Sequence, residues 1–344
     1  MVTTVRGLEE ILANELKCLV PSQALSYRRF SGRVFLDVKN SLDETIDLAK
    51  KLLKGIYVAE RIILILNKLS VEDINAGKSK NLISPFLSKL LTYRNFLAVR
   101  AEEANCSISS QEIASKIGEA WDLISLDDPD LVIQAICDNN IVYIGIDLTG
   151  FRTLHRRFYR KYIHPSMLNP IIANAMLDLV EVKSGDSILD PMCGSGTILI
   201  ECKLRFPDTK CRGFDINPQH VHGALLNARA AGVDVEIEAM DICSLKNFLE
   251  PRTIDAIITN PPYGIRERAV GKSLENVYEC LFKISQTLLK NKGKLCLITP
   301  RKQLIKRISK IYSNIFKLAK KITIIEGGLK TYIFLFYRED NHHN

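Results

Sequence analysis

The stretch Ser187-Ile188-Leu189-Asp190-Pro191-Met192-Cys193-Gly194-Ser195-Gly196-Thr197 decides how this chain is read. A short apolar strand runs into a glycine-rich turn, and a helix is expected to begin near Thr197. Glycines at 194 and 196 let the backbone approach a ligand closely. A dinucleotide loop would carry a third glycine at 199, where this chain has Leu199. Asp190 points the same way, because a carboxylate inside the turn repels a phosphate and suits an ammonium group.

Outward from this turn, helix and strand patterns alternate strictly beyond Pro165, as in a parallel α/β sheet. Strands are expected at 187–192, 210–216, 235–241, 254–260 and 294–299, with a closing pair at 321–326 and 331–337. Gly327-Gly328 is too short a link for a parallel crossover, so the closing pair is expected to be antiparallel. Leu304, Ile305, Ile308, Ile311, Ile315 and Leu318 recur as one face of a basic helix across 301–321.

Ligands of open α/β sheets bind at the carboxyl edge of the strands. The second strand ends in Asp215-Ile216, where a carboxylate can accept both hydroxyls of a ribose. The third ends in Asp241-Ile242, an acceptor for an adenine amino group and an apolar cover for its ring. Any one of these aspartates could be a helix cap. Three in succession beside the turn formed by Met192, Cys193, Gly194, Ser195, Gly196 and Thr197 describe the ammonium, ribose and adenine of S-adenosylmethionine.

The fourth strand runs into Asn260-Pro261-Pro262-Tyr263. Two prolines stiffen the turn, leaving the Asn260 amide and the Pro261 carbonyl as fixed acceptors beside an aromatic ring. An exocyclic amino nitrogen on a base is a poor nucleophile, since its lone pair is delocalised. Acceptors that hold its protons favour a pyramidal nitrogen aimed at a methyl group. Tyr263 can stack on a base drawn out of its helix. The plainer reading is a strand-capping turn.

The first 150 residues read as small α+β units, with Leu8, Ile11, Leu12 and Leu16 at helical spacing and strands at 33–38, 61–66, 95–101, 130–137 and 141–148. Helices are expected at 42–53 and 109–121, and Asp138-Asn139-Asn140 as a hairpin turn. Between 149 and 165 the chain changes character, and the domain boundary is placed there. Arg152, Arg156, Arg157, Arg160 and Lys161 alternate with aromatics and no acidic residue. Phosphate contact and a plain solvated linker both fit that pattern. Arg266 and Arg268 past the proline turn, and Arg301 and Lys302 after the fifth strand, are the other candidates for phosphate contact.

Composition bounds the rest. The 344 residues are 47% hydrophobic and 25% charged, which excludes extensive disorder, and a net charge of +8 suits a polyanionic partner. Nine dispersed cysteines show no C-x-x-C pair or zinc spacing, so free thiols in a reducing compartment and no metal site are expected. No apolar run is long enough to span a membrane. A cytoplasmic protein without an obligate protein partner is expected.

Asn-Pro-Pro-Tyr matches the Asp/Asn/Ser-Pro-Pro-Tyr/Phe pattern of the amino-methyltransferases of nucleic acids and protein glutamine. The 190–197 loop and Thr259-Asn260-Pro261-Pro262-Tyr263-Gly264 further resemble the THUMP-domain tRNA guanine-N2 methyltransferases. So do Ile146-Asp147-Leu148-Thr149-Gly150, Leu154-His155-Arg156-Arg157 and Tyr159-Arg160. The resemblance implies a ferredoxin-like segment (1–55), a THUMP domain (56–150), a basic linker (151–163) and a Rossmann-like class I methyltransferase domain (164–340) with an antiparallel last strand. It implies that His164, Pro165, Ser166, Met167 and Leu168 cross the methionine end of the cofactor. From the residues alone, Pro165 and Ser166 read as the start and cap of a helix. It also implies tRNA as substrate, modified at guanine 6 of the acceptor stem. A sister group that modifies guanine 10 carries Asp at the first motif position, where this chain has Asn260. Amino-methylation of adenine in DNA, of a ribosomal RNA guanine or of a protein glutamine, and a cofactor-binding RNA-binding or assembly protein without turnover, are the competing readings.

Overall fold

The computed structural model describes residues 1–21, 23–38, 42–79, 97–119, 129–150, 153–264 and 273–339. They divide into two compact units. One comprises Met1–Thr3, Leu16–Tyr27 and Arg33–Leu154; the other comprises Thr4–Glu15, Arg28–Gly32 and the chain from His155 onward. Helix α1 (Glu9–Leu19) has residues in both.

The first unit contains β1 (Val2–Thr3), β2 (Ala24–Tyr27), β3 (Arg33–Asp37), α2 (Leu42–Gly55), β4 (Arg61–Ser70), α3 (Val71–Asn75), β5 (Leu97–Ala104), α4 (Ser110–Gly118), β6 (Leu131–Asp138) and β7 (Ile141–Asp147). Its sheet runs β2-β3-β1-β4-β7-β6-β5, antiparallel throughout except for the β5–β6 pair. Asn139 and Asn140 join β6 to β7 with φ of 51° and 61°. A two-residue hairpin of type I′ needs both central residues left-handed, and asparagine tolerates that better than most side-chain-bearing residues. Ser70 and Ser109 begin α3 and α4 with reciprocal capping boxes to Asp73 and Glu112. Ile113, Ile117, Ile133 and Ile144 lie in the core beneath. The expected strand at 95–101 and helix at 109–121 both extend partly outside the described residues.

The second unit carries α5 (Pro170–Val180), β8 (Ser187–Asp190), α6 (Thr197–Arg205), β9 (Lys210–Asp215), α7 (Pro218–Ala231), β10 (Glu236–Ala239), a 3₁₀ turn (Ile242–Asn247), β11 (Ile254–Thr259), α8 (Leu274–Leu288), β12 (Leu289–Thr299), α9 (Lys302–Ile311), β13 (Phe316–Glu326) and β14 (Leu329–Arg338). The strand order is β10-β9-β8-β11-β12-β14-β13. The five strands from β10 to β12 are parallel, and β14 is antiparallel to both neighbours, its pairing with β13 as the Gly327-Gly328 link requires. This is the Rossmann-like α/β sheet expected from the alternating pattern. Phe282 anchors the core, its ring centroid 5.5 Å from those of Tyr312 and Phe336 and 5.8 Å from that of Phe316.

Three expectations need correction. The basic helix stops at Ile311, and Phe316 opens a strand paired with Arg338. Ile305 and Ile308 are buried as the helical face required, whereas Ile311 and Leu318 are exposed. Tyr312 and Phe316 pack on Phe282, and a continued helix would forfeit the strand pairing. The helix that follows the junction is capped by Asn169, whose Oδ1 accepts from Ile171 N at 3.0 Å, with Pro170 as its first residue. Ser166 and Pro165 therefore precede the helix. Finally, four of the nine cysteines form disulfides, Cys106–Cys137 and Cys243–Cys280. They lie 31 and 37 residues apart and meet only through the tertiary fold, which spacing rules do not capture.

Candidate active site

Strands β10, β9, β8 and β11 are adjacent and parallel, so the residues just past their carboxyl ends converge. A cavity of about 550 Å³ opens there, within the range of small-molecule sites. It is lined by every residue singled out in the cofactor and proline-turn readings except Gly196. Residues 164–168, left irregular by the later helix start, form part of its wall.

The glycine turn is held by its neighbours. Gly194 and Gly196 adopt φ of 52° and 78°, and Gly196 is the N-cap of α6. A Cβ on Gly194 would meet His164 Nε2 at 3.1 Å, and one on Gly196 would meet Ala224 Cβ at 3.2 Å. Asp215 accepts from Gly194 N through Oδ2 and from Asn217 N through Oδ1, both at 2.9 Å. His220 Nδ1 lies 3.3 Å from Asp215 Oδ1, and its ring stacks on that of His164 at 4.7 Å. One carboxylate thus ties the turn to the next strand end, and one ring stack ties in the 164–168 segment.

Asp190 is 1% exposed and accepts from Met192 N at 3.2 Å. Desolvation pushes its pKa up to about 7. A bound cation would relieve that penalty, which fits the ammonium of S-adenosylmethionine. Asp241 caps the 3₁₀ turn, accepting from Cys243 N at 2.8 Å, while also lining the cavity. Asp241 thus caps the turn and faces the cavity at once. The cavity's volume, the two positive-φ glycines and the three strand-end carboxylates together match the size and charge of that cofactor.

At the far side of the cleft, Tyr263 Oη donates to Asn260 Oδ1 at 2.7 Å, and Asn260 Nδ2 reaches the Ser166 carbonyl at 3.4 Å. Burial raises the Tyr263 pKa, so the phenol stays protonated and remains a donor. The proline turn is braced from behind. Tyr278 Oη donates to the Pro262 carbonyl at 3.3 Å and pairs with Thr299 Oγ1 at 2.7 Å. Arg301 Nε donates to the Tyr263 carbonyl at 2.8 Å.

Two buried polar side chains that the sequence reading did not single out organise the basic junction. Glu201 accepts from Arg157 Nε and Nη2 at 2.9 and 3.1 Å, from Tyr159 Oη at 2.7 Å and from Asn174 Nδ2 at 2.6 Å. Asn227 Oδ1 accepts from the amides of Lys161 and Tyr162 at 2.8 Å, while its Nδ2 donates to the carbonyls of Tyr162 and Ser195 at 3.1 Å. Arg157 is thus engaged internally, and Arg160 lies against the Met167 sulfur. Arg156, Lys161, Arg301 and Lys302 are exposed, and Lys302 sits 5.8 Å above the Tyr332 ring. Arg152, Arg266 and Arg268 lie outside the described residues. His220, Met240, Glu326 and Leu329 line the cavity without having been anticipated. His220 had a faint signal, five residues past Asp215; Glu326 had none.

Among the described residues no cluster of side chains is arranged to hold a metal ion, and no helix is long and apolar enough to cross a membrane.

A parallel sheet with an antiparallel last strand, a glycine turn among strand-end carboxylates and a rigid Asn-Pro-Pro-Tyr turn at the same edge define an S-adenosylmethionine-dependent methyltransferase. Residues 157–322 match the UPF0020 family model, described as an RMKL-like methyltransferase domain. The chain is 26% identical to the tRNA (guanine(6)-N2)-methyltransferase of Methanocaldococcus jannaschii, over 97% of this chain and 98% of that protein. It is 29% identical to the tRNA (guanine(10)-N2)-dimethyltransferase of the same organism, over 75% and 76%. The crystal structure of TrmN from Thermus thermophilus superposes with a TM-score of 0.82 at 26% identity, covering 98% of both chains. The resemblance to guanine-N2 methyltransferases read from the sequence is upheld by these relatives.

Proposed function

We propose that this enzyme transfers a methyl group from S-adenosylmethionine to the exocyclic N2 of a guanosine in tRNA, at position 6 of the acceptor stem. The observation that carries the reading is the braced Asn260-Pro261-Pro262-Tyr263 turn, which opens onto the same cavity as Asp190, Asp215 and Asp241. The full-length similarity to a protein named for that reaction supports the choice of substrate.

In this reading Asp190 takes the ammonium, Asp215 the ribose and Asp241 the adenine amino group. Ile216 and Ile242 cover apolar surface, and residues 164–168 cross the methionine end. The donor supplies an electrophilic methyl on a sulfonium: as the N2 lone pair forms the new N–C bond, the C–S bond breaks and its electron pair stays on sulfur. Asn260 Oδ1 has two lone pairs. The Tyr263 hydroxyl uses one and fixes the amide, leaving the other for an N2 proton. The Pro261 carbonyl takes the second N2 proton. Both acceptors are set before substrate arrives, so no reorganisation opposes the transfer. The alkylated nitrogen then loses a proton to solvent. The Tyr263 ring stacks on the flipped base.

Residues 1–55 and 56–150 serve in this reading as ferredoxin-like and THUMP RNA-binding segments. Arg156, Lys161 and Lys302 meet phosphates, with Arg152, Arg266 and Arg268 as further contacts, and Arg301 combines a phosphate contact with bracing the turn. The same relatives name a second target, guanine 10.

The test is incubation with labelled S-adenosylmethionine and unmodified tRNA transcripts, followed by nucleoside analysis. N2-methylguanosine that disappears when guanine 6 is replaced is the expected result. Label that depends on guanine 10 would keep the chemistry and move the site. Label only in DNA or ribosomal RNA would overturn the substrate.

A further inference from the structure

We propose that Glu326, at the tip of the closing β-hairpin, is the residue that selects guanine, by accepting the N1–H of the target base in the cavity beside Tyr263. The proposal rests on the N2-guanine reading above and extends it to specificity.

Asn260, Pro261 and Tyr263 recognise an amino group, and an amino group alone does not identify guanine. Next to N2, guanine presents the N1–H donor, where adenine presents a lone pair at N1. An acceptor next to the amino-binding turn reads that difference. The described residues lining the cavity include four carboxylates. Asp190, Asp215 and Asp241 stand at successive strand ends, each with a local backbone bond. Glu326 is the fourth, and it comes from a different part of the fold.

Its position follows from register. Thr299, the last residue of β12, pairs with Tyr332, and the hairpin continues past that point to the Glu326–Leu329 pair. The tip therefore projects beyond the sheet edge from which the Asn260 turn rises, and Glu326, Gly327 and Leu329 all line the cavity. The Glu326 charge acts on the Tyr263 phenol. Glu326 stays open to solvent, while the protein packed around its carboxylate raises its pKa. The nearby Asn169 side chain and Arg160 charge both favour its ionised form. The Asn169 amide can face only one way. Its oxygen is committed to the Ile171 amide as helix cap, so only its NH₂ is left to favour the Glu326 carboxylate. A carboxylate has about four lone-pair sites, so this neighbour leaves acceptor capacity for substrate.

The test compares kcat/KM on tRNA carrying guanine or 2-aminopurine at the methylated position. 2-Aminopurine keeps the amino group and replaces N1–H with a lone pair, which a carboxylate repels. Glu326→Gln can turn its amide to donate to that lone pair. The expected result is that the wild-type preference for guanine falls roughly tenfold or more in E326Q, as loss of one charge-assisted hydrogen bond predicts. Affinity for S-adenosylmethionine, titrated calorimetrically, is expected to be unchanged. E326D, which keeps the carboxylate, is expected to turn over more slowly while still preferring guanine. An unchanged preference in E326Q, or a lost preference in E326D, overturns the proposal. Loss of S-adenosylmethionine binding in E326Q also overturns it, by giving Glu326 to the cofactor. If the wild type places no methyl on guanine N2, the functional reading itself has failed, and that result is visible before any variant is made.

Discussion

The Tyr263 hydroxyl donates to the Asn260 amide oxygen at 2.7 Å, so the aromatic ring and the acceptor of the proline turn are oriented by one bond. Removing the hydroxyl alone separates the two functions. Tyr263→Phe keeps a ring for stacking but frees the amide, and a loss of about tenfold in kcat is expected for one neutral hydrogen bond of roughly 1–1.5 kcal/mol. Asn260→Ala removes the acceptor itself, with an expected loss of about 10²–10³ in kcat, the scale of deleting one preorganised polar group. Initial rates at saturating tRNA check both, and equal losses in the two variants would show that the hydroxyl does more than orient the amide.

Asp190 makes cofactor binding and stability depend on pH in linked ways. Its folded pKa of about 7 lies above the ordinary carboxylate value of 3.8, so the fold favours the protonated acid. Its contribution to stability without cofactor is complete below the unfolded value and is lost as pH rises to about 7. Above that the ionised group costs at most about 4 kcal/mol. Asp190→Asn is expected to raise the melting temperature above pH 7 and to change it little near pH 4. A bound cation lowers the pKa, so wild-type affinity for S-adenosylmethionine should climb with pH through neutrality. The Asn variant should bind weakly and without that dependence. Melting curves and calorimetric titrations at several pH values measure both effects.

Glu201 is 1% exposed and holds Arg157, Tyr159 and Asn174. Glu201→Gln leaves the Arg157 guanidinium without its counter-charge in a half-buried site. Breaking one side of such a pair costs about 3–5 kcal/mol, so a large fall in denaturation midpoint is expected. Arg156→Ala, on an exposed neighbour, should leave the midpoint unchanged. In the RNA-binding reading it weakens tRNA affinity and reduces the salt slope by about 1. Chemical denaturation and a salt titration of tRNA binding tell the two residues apart.

Gly194 has φ of 52°, and a Cβ there would sit 3.1 Å from His164 Nε2. Gly194→Ala therefore strains the backbone and pushes on the His164–His220 stack. A destabilisation of about 1–2 kcal/mol is expected, with a matching rise in the Kd for S-adenosylmethionine. A thermal melt and a binding titration on one preparation test this. Full retention of affinity would mean that the stack yields without disturbing the cleft.

Features that depend on contiguous residues follow from the sequence without the fold. A strand, a turn and a helix start are each set by a few neighbours, so the 187–197 turn, the aspartates at 190, 215 and 241 and the Asn260-Pro261-Pro262-Tyr263 turn were legible as strand-end features. The two-residue Gly327-Gly328 link likewise dictated the antiparallel closing pair. Tertiary structure alone decided which side chains meet across the fold. Glu201 reaches Arg157, Asn227 reaches Ser195, and the Cys106–Cys137 and Cys243–Cys280 bonds form between residues with no shared local pattern. It decided that the basic helix ends at Ile311, because the aromatic cluster around Phe282 and the strand pairing of Phe316 outweigh a helical periodicity that ran on to Leu318. It also brought Glu326 to the cavity, since where a hairpin tip lies is set by the register of β12, β14 and β13 and by no residue beside it in the chain.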